Sequence, residues 1–179
     1  AVKELRERLG AGMVDSKNAL VEAEGDIEKA IEILRLKGMK GVAKREGRAT
    51  SEGLIAVKES EGSATMIELA CETDFVAKNE KFIALGQRVL DAVVAAGAKT
   101  LEEAVAAPLE GKTVAEIITD EAAIIGEKVE LRRIAVVEGE HIAVYLHQTS
   151  KDLPPQVGVV VGFAGGSADT GTGIAQHIS

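Results

Sequence analysis

The segment Cys71-Glu72-Thr73-Asp74-Phe75-Val76-Ala77-Lys78-Asn79-Glu80 sets one large ring among polar side chains, between a predicted strand and a predicted helix. Asp74 is placed to cap backbone N–H groups there. Two readings of Phe75 are open. Its ring folds back onto the core, as aromatic side chains usually do, or it stands out as an anchor for a partner's pocket. A second candidate is the glycine-rich stretch from Gly162 to Gly173, which follows a predicted strand and precedes a predicted helix. That is the context of a phosphate-binding loop, and Gly166 and Gly171 have its spacing. Thr172, however, stands where a lysine must meet the phosphate charge, and no G-x-G-x-x-G fits, so the stretch reads as a loop. Cys71 is the single cysteine, which excludes an intramolecular disulfide within this sequence. It reads as a small buried residue in a strand and suits a reducing, cytoplasmic location. His141, His147 and His177 lack metal-ligand spacing. No G-x-S-x-G elbow and no discriminating carboxylate pair is present. These residues give no support to an enzyme, a metal or a cofactor, and direct the reading toward protein contact.

Composition narrows the partner. The sequence has 179 residues, with 21 basic and 29 acidic side chains and a net charge of −8. Hydrophobic residues make up 46%, enough for a real core, and 27 of them are alanine, so that core is small and aliphatic. With three phenylalanines, one tyrosine and no tryptophan, the chain lacks the basic surface and stacking rings of a general nucleic-acid binder. No uncharged apolar run approaches the ~18 residues needed to span a bilayer. The charged, periodic start Val2-Lys3-Glu4-Leu5-Arg6-Glu7-Arg8 does not read as a signal peptide.

The elements that must position these residues follow from periodicity. Val2, Leu5 and Leu9 mark a first helix, stopped by Gly10-Ala11-Gly12. Asp15 is expected to cap a second, and Gly25-Asp26 to break and recap into a third. Ile27, Ala30, Ile31 and Leu34 line the buried face of that helix, which Gly38 is expected to end. Arg35, Lys37, Lys40, Lys44, Arg45 and Arg48 then run basic against Glu46 alone. They read as a solvated linker or helix, or as a docking stripe for an acidic partner. Strands over 53–59 and 64–72 form a hairpin around Ser60-Glu61-Gly62-Ser63. A strong helix over 79–96 follows, with Phe82, Leu85, Val89 and Val93 on one face. Thr100 with Glu103, and Thr113 with Glu116, are capping boxes opening helices near 101–107 and 114–124. A second hairpin is expected from 129–137 and 141–148, turned by Glu138-Gly139-Glu140. A strand from Val157 to Phe163 and a helix starting near Gly173 complete an α+β pattern with antiparallel sheet.

Three motifs carry a resemblance. They are Val2 to Leu20, Cys71 to Asn79, and Ile125-Gly126-Glu127-Lys128-Val129-Glu130-Leu131-Arg132-Arg133. In order and spacing the chain resembles the elongation factor Ts family, the nucleotide-exchange partners of elongation factor Tu. Mild departures are Leu9, Val14 and Ser16, where the family commonly has Thr, Met and Cys; the glycine-rich stretch 164–173 is an unusual one, standing in place of a more charged segment. The resemblance implies a ubiquitin-associated-like three-helix docking domain over 1–38, a basic linker over 39–52, and an α+β exchange core over 53–179 that continues past Ser179. It implies exchange by protein contact, with elongation factor Tu as partner and with no nucleotide, nucleic acid, membrane or cofactor bound directly; the alternative reading is a protein-binding module whose ubiquitin-associated-like domain acts on another partner. A homodimer through the core or through regions beyond Ser179 is compatible with it. Carried over by motif, Phe75 enters a pocket of the GTPase near its magnesium and phosphate site, with Thr73, Asp74 and Val76 in the same loop. Ile125 and Gly126 press the same surface. Arg6, Met13, Val14 and Lys17 form the N-terminal docking face, Lys44 and Arg45 touch the partner, and His147 matches a contact position in the second subdomain.

Overall fold

Three helices open the chain: α1 (Val2–Leu9), α2 (Met13–Glu22) and α3 (Ile27–Arg45). They are seen in a computed structural model that describes residues 1–9 and 11–179. Gly10, one of the residues expected to stop the first helix, lies outside the described residues. Leu5, Ala19, Leu20, Ala23 and Ala30 form a buried cluster, flanked by Val2, Leu9, Ile27, Ile31 and Leu34. The stripe of small and branched residues read from the sequence is therefore the face that packs. Asp26 caps α3 as expected, its side chain accepting from Lys29 N at 3.1 Å. Asp15 does not cap α2. Gly12 holds the N-cap position, and Asp15 Oδ1 instead accepts from Lys37 Nζ at 2.6 Å. Gly38 does not end α3, which runs on to Arg45, so residues 39–45 are helix and not linker. The reason lies far away in sequence. A Cβ on Gly38 would meet the Ala123 Cβ at 2.8 Å, so this glycine lets another helical segment approach closely. Ala1–Ala49 and Thr119–Lys128 form one compact unit, and Arg35 pairs with Asp120 within it at 3.7 Å.

Thr50–Ile118 and Val129–Ser179 form the second unit, an α+β structure. Strands β1 (Glu52–Ser60) and β2 (Ser63–Cys71) make the expected hairpin, paired from Glu52↔Cys71 to Ser60↔Ser63. A one-turn helix α4 (Asp74–Ala77) leads into α5 (Glu80–Ala95). Phe82, Leu85, Val89 and Val93 of α5 are fully buried, as the periodicity predicted. Both capping boxes form. The first opens α6 (Leu101–Ala106). After the two-residue strands β3 (Pro108–Leu109) and β4 (Lys112–Thr113), the second opens α7 (Val114–Ile125). There Thr113 N donates to Glu116 Oε2 at 2.8 Å and Glu116 N to Thr113 Oγ1 at 3.2 Å. The last turns of α7 belong to the first unit.

The predicted second hairpin does not form. Strand β5 (Glu130–Glu138) pairs with β2, giving the antiparallel order β1-β2-β5. Strand β6 (His141–His147) pairs instead with β7 (Val157–Phe163) in a separate two-stranded sheet. Gly139 N donates to Gly62 O at 3.0 Å, so the link 138–140 extends the β2–β5 end and does not fold back as a hairpin turn. Strand partners are set by which faces can be buried, and a short link permits either choice. A register shift opposite Glu68 and Leu69 leaves Arg132 as an extra residue. Its guanidinium reaches Thr50 and lies 3.2 Å from Glu68 Oε1, while Arg133 Nε donates to Glu68 Oε2 at 2.6 Å.

The second half of the glycine-rich stretch is helix: α8 (Ala168–Ile178) starts five residues before Gly173, N-capped by Ser167. Gly171 is buried, and a Cβ there would stand 2.4 Å from Phe163 Cε1 and 3.0 Å from the Ala143 Cβ. Small size at this position thus serves helix-on-strand packing. Gly53 in β1 is tighter still against backbone. Its φ is +154°, and a Cβ would lie 2.2 Å from Leu69 O and 2.8 Å from Ala70 Cα. Gly53→Ala is expected to lower the unfolding free energy by about 1–3 kcal/mol, read as a fall in the denaturation midpoint. An unchanged midpoint would show that β1 shifts away from β2 without cost.

Candidate protein-docking site

The strand-to-helix connection after β2 is built to hold a ring outside the core. Thr73, not Asp74, is the N-cap of α4: its side chain accepts from Val76 N at 3.4 Å. Asp74 is the first residue inside the turn and lies 3.9 Å from Lys78 Nζ. A hydroxyl at the non-helical position reaches back to the turn's free N–H, which a carboxylate already inside the turn does not do in the same way. Asn79 then caps α5, accepting from Lys81 N at 2.9 Å. Cys71, fully buried at the end of β2, donates its S–H to Thr73 O at 3.3 Å. Ala77 is fully buried and Val76 half-buried. Successive helical residues are about 100° apart, so burying 76 and 77 turns position 75 outward. Phe75 is 73% exposed, which closes the question the sequence left open in favour of the outward ring. Lys78 Nζ sits 4.6 Å from the ring centroid.

His147 belongs to the same unit but stands at the end of β6, in the other sheet, exposed, with Tyr145 Oη 3.4 Å from its Nδ1. The remaining predicted residues belong to the first unit. Met13 is 61% and Val14 70% exposed at the start of α2, where burial against the cluster falls instead to Ser16, Ala19 and Leu20. Arg6 and Lys17 are exposed as well. Lys44 and Arg45 occupy the last turn of α3, where cations suit the helix dipole. Ile125 is half-buried at the end of α7, and Gly126, with φ +83°, terminates it through its N–H to Ala122 O at 2.9 Å. Lys128 Nζ donates to Glu46 O at 2.7 Å, bringing the 125–128 segment beside the end of α3. The structure thus gathers Thr73, Asp74, Phe75 and Val76 in one turn, and places Ile125 and Gly126 with the N-terminal residues in the other unit. Sequence reading missed Thr73 as the cap and Lys78 over the ring; an i, i+3 spacing was the available signal for the latter.

On the scaffold, three ion pairs shift the ionisation of one of their partners. Lys58 Nζ, 2.7 Å from Asp91 Oδ1, holds that carboxyl below its usual range against a smaller opposing effect of burial, with Gln87 assisting. Arg88 does the same to Glu110 through bonds of 2.9 and 2.8 Å. The Glu68 carboxylate raises the Arg133 guanidinium. Because the folded carboxyls titrate below their unfolded values, their contribution is present above the ordinary carboxylate pKa. It is lost as pH falls through the folded one. The double variant Asp91→Asn, Glu110→Gln should therefore melt a few degrees below wild type at neutral pH and low salt. That gap should close once pH falls below the lowered folded pKa of both carboxyls, and shrink in high salt, since both pairs are solvated. A gap that widens toward acid would contradict this assignment.

The capped turn thus presents an apolar ring at the surface. Residues 72–179 match the family described as elongation factor TS. The elongation factor Ts of Leifsonia xyli subsp. xyli is 70% identical over 179 residues, an alignment covering 99% of this chain and 65% of that protein. That of Clavibacter sepedonicus is 69% identical over 178 residues with the same coverage, and that of Micrococcus luteus 57% identical over 179. The chain belongs to the elongation factor Ts family. It spans just under two thirds of the length of these relatives.

Proposed function

We propose that this chain is a guanine nucleotide exchange factor of translation elongation that acts in the cytoplasm on elongation factor Tu. The observation that carries the reading is the exposure of Phe75 on a capped turn, in a chain with four aromatic rings. A GTPase holds GDP through phosphate-loop amides and Mg²⁺. A ring wedged beside those elements displaces them and weakens the nucleotide. Binding is linked, so GDP weakens the factor by the same ratio by which the factor weakens GDP. The factor therefore holds the nucleotide-free state best and leaves as GTP enters. It needs no nucleotide, metal or cofactor site of its own.

In this reading Phe75 is the wedge, and Thr73, Asp74 and Val76 fix the turn that presents it. The three-helix unit, a ubiquitin-associated-like arrangement, docks through Arg6, Met13, Val14 and Lys17. Ile125 and Gly126 press the GTPase surface, with Lys44, Arg45 and His147 as outer contacts. Release of labelled GDP from elongation factor Tu, with and without this chain, tests the proposal. Faster release supports it. No acceleration by this chain, nor by one extended to the length of its relatives, overturns it.

A further inference from the structure

We propose that Lys78 is a positioning residue for Phe75, a role that rests on the exchange reading. Three side chains of one helical turn form a chain of contacts. Asp74 Oδ2 lies 3.9 Å from Lys78 Nζ, and that ammonium lies 4.6 Å from the centroid of the Phe75 ring. A ring 73% exposed has little core to fix its rotamer. An ammonium over its face is attracted by the negative face of the π system, and the Asp74 carboxylate attracts the same ammonium. Lys78 is itself anchored, because its backbone N–H bonds back to Asp74 O at 3.1 Å, while Asn79 N–H donates to Val76 O at 3.0 Å and closes the turn.

The consequence is selective. One face of the ring is occupied by a cation, so the edge and the opposite face lead into a partner's pocket. The ring enters with part of its rotational freedom already removed. Preorganisation of this kind acts on association more than on the later steps of exchange. The lysine also keeps the ring from settling against apolar surface elsewhere, since that would desolvate the ammonium.

The test uses the full chain as wild type, Lys78→Met and Lys78→Arg. Lys78→Met keeps length and removes charge; Lys78→Arg keeps the cation. The expected result for Lys78→Met is a kcat/KM for GDP release lower by about 2–5-fold, with kcat and the melting temperature unchanged, and recovery in Lys78→Arg. In NMR spectra, the wild-type Lys78 ε-methylene resonance should be shifted upfield by the ring current, and Phe75→Leu should abolish the shift. An active wild type with Lys78→Met equal to it, or the absence of the upfield shift, overturns the proposal. If neither wild type nor a chain extended to the length of its relatives accelerates release, the exchange reading falls. The ring-current shift then decides the pairing by itself, its presence supporting it and its absence refuting it.

Discussion

Replacing Phe75 by alanine should lower kcat/KM for GDP release from elongation factor Tu by roughly 30-fold to 1,000-fold, the effect of losing about 2–4 kcal/mol at a buried interface hot spot. The melting temperature should stay within about a degree of wild type, since removing a side chain that folding leaves in water costs little stability. The two readouts separate because the ring is 73% exposed while its neighbours Ala77 and Cys71 are fully buried. Phe75→Leu should fall between wild type and alanine, because a smaller apolar group fills part of the same pocket. A large drop in melting temperature with normal exchange would mean that the ring serves the core. Loss of neither property would remove the wedge from the mechanism and leave the docking residues of the N-terminal unit to carry it.

How much of this could be read in advance depended on how local the cause was. The β1–β2 hairpin, the buried face of α5 and both capping boxes follow from residues within a few positions of one another, and each formed where its pattern placed it. Gly38 was misread because the reason for it, Ala123, comes 85 positions later (123 minus 38). A glycine that admits a second helix and a glycine that ends a helix are the same letter. The partner of β6 was likewise decided by packing and not by the residues at 138–140, which bond across to Gly62. The start of α8 was hidden by glycines whose helix cost is offset by the contact Gly171 makes with Phe163. In the candidate site, the residue types of the turn were visible, but its polarity was not. One helical turn is too short for periodicity to show which side faces water, so Phe75 stayed ambiguous until the burial of Val76 and Ala77 fixed it. Asp74 and Thr73 are both good caps, and only the location of the first helical residue separates them.

Phe82, seven residues after Phe75, should behave in the opposite way. It is the largest fully buried side chain among the described residues, in the first turn of α5, and continues through Leu85, Val89 and Val93 as the helix face that packs on β1 and β2. Phe82→Ala should cost about 3–5 kcal/mol, the transfer term plus a cavity that a helix start pinned by Asn79 cannot fully collapse. For a unit of this size that corresponds to a fall in melting temperature of roughly 10–20 °C. Below the new transition, kcat/KM for GDP release should stay within about 3-fold of wild type, because Phe82 presents no surface to a partner. Phe82→Leu, which leaves a smaller void, should lose less than half as much stability. If Phe82→Ala instead abolished exchange while the chain remained folded, the start of α5 would have to be holding α4 in place through the Asn79 cap. The turn that presents Phe75 would then owe its stiffness to the helix behind it as well as to Thr73.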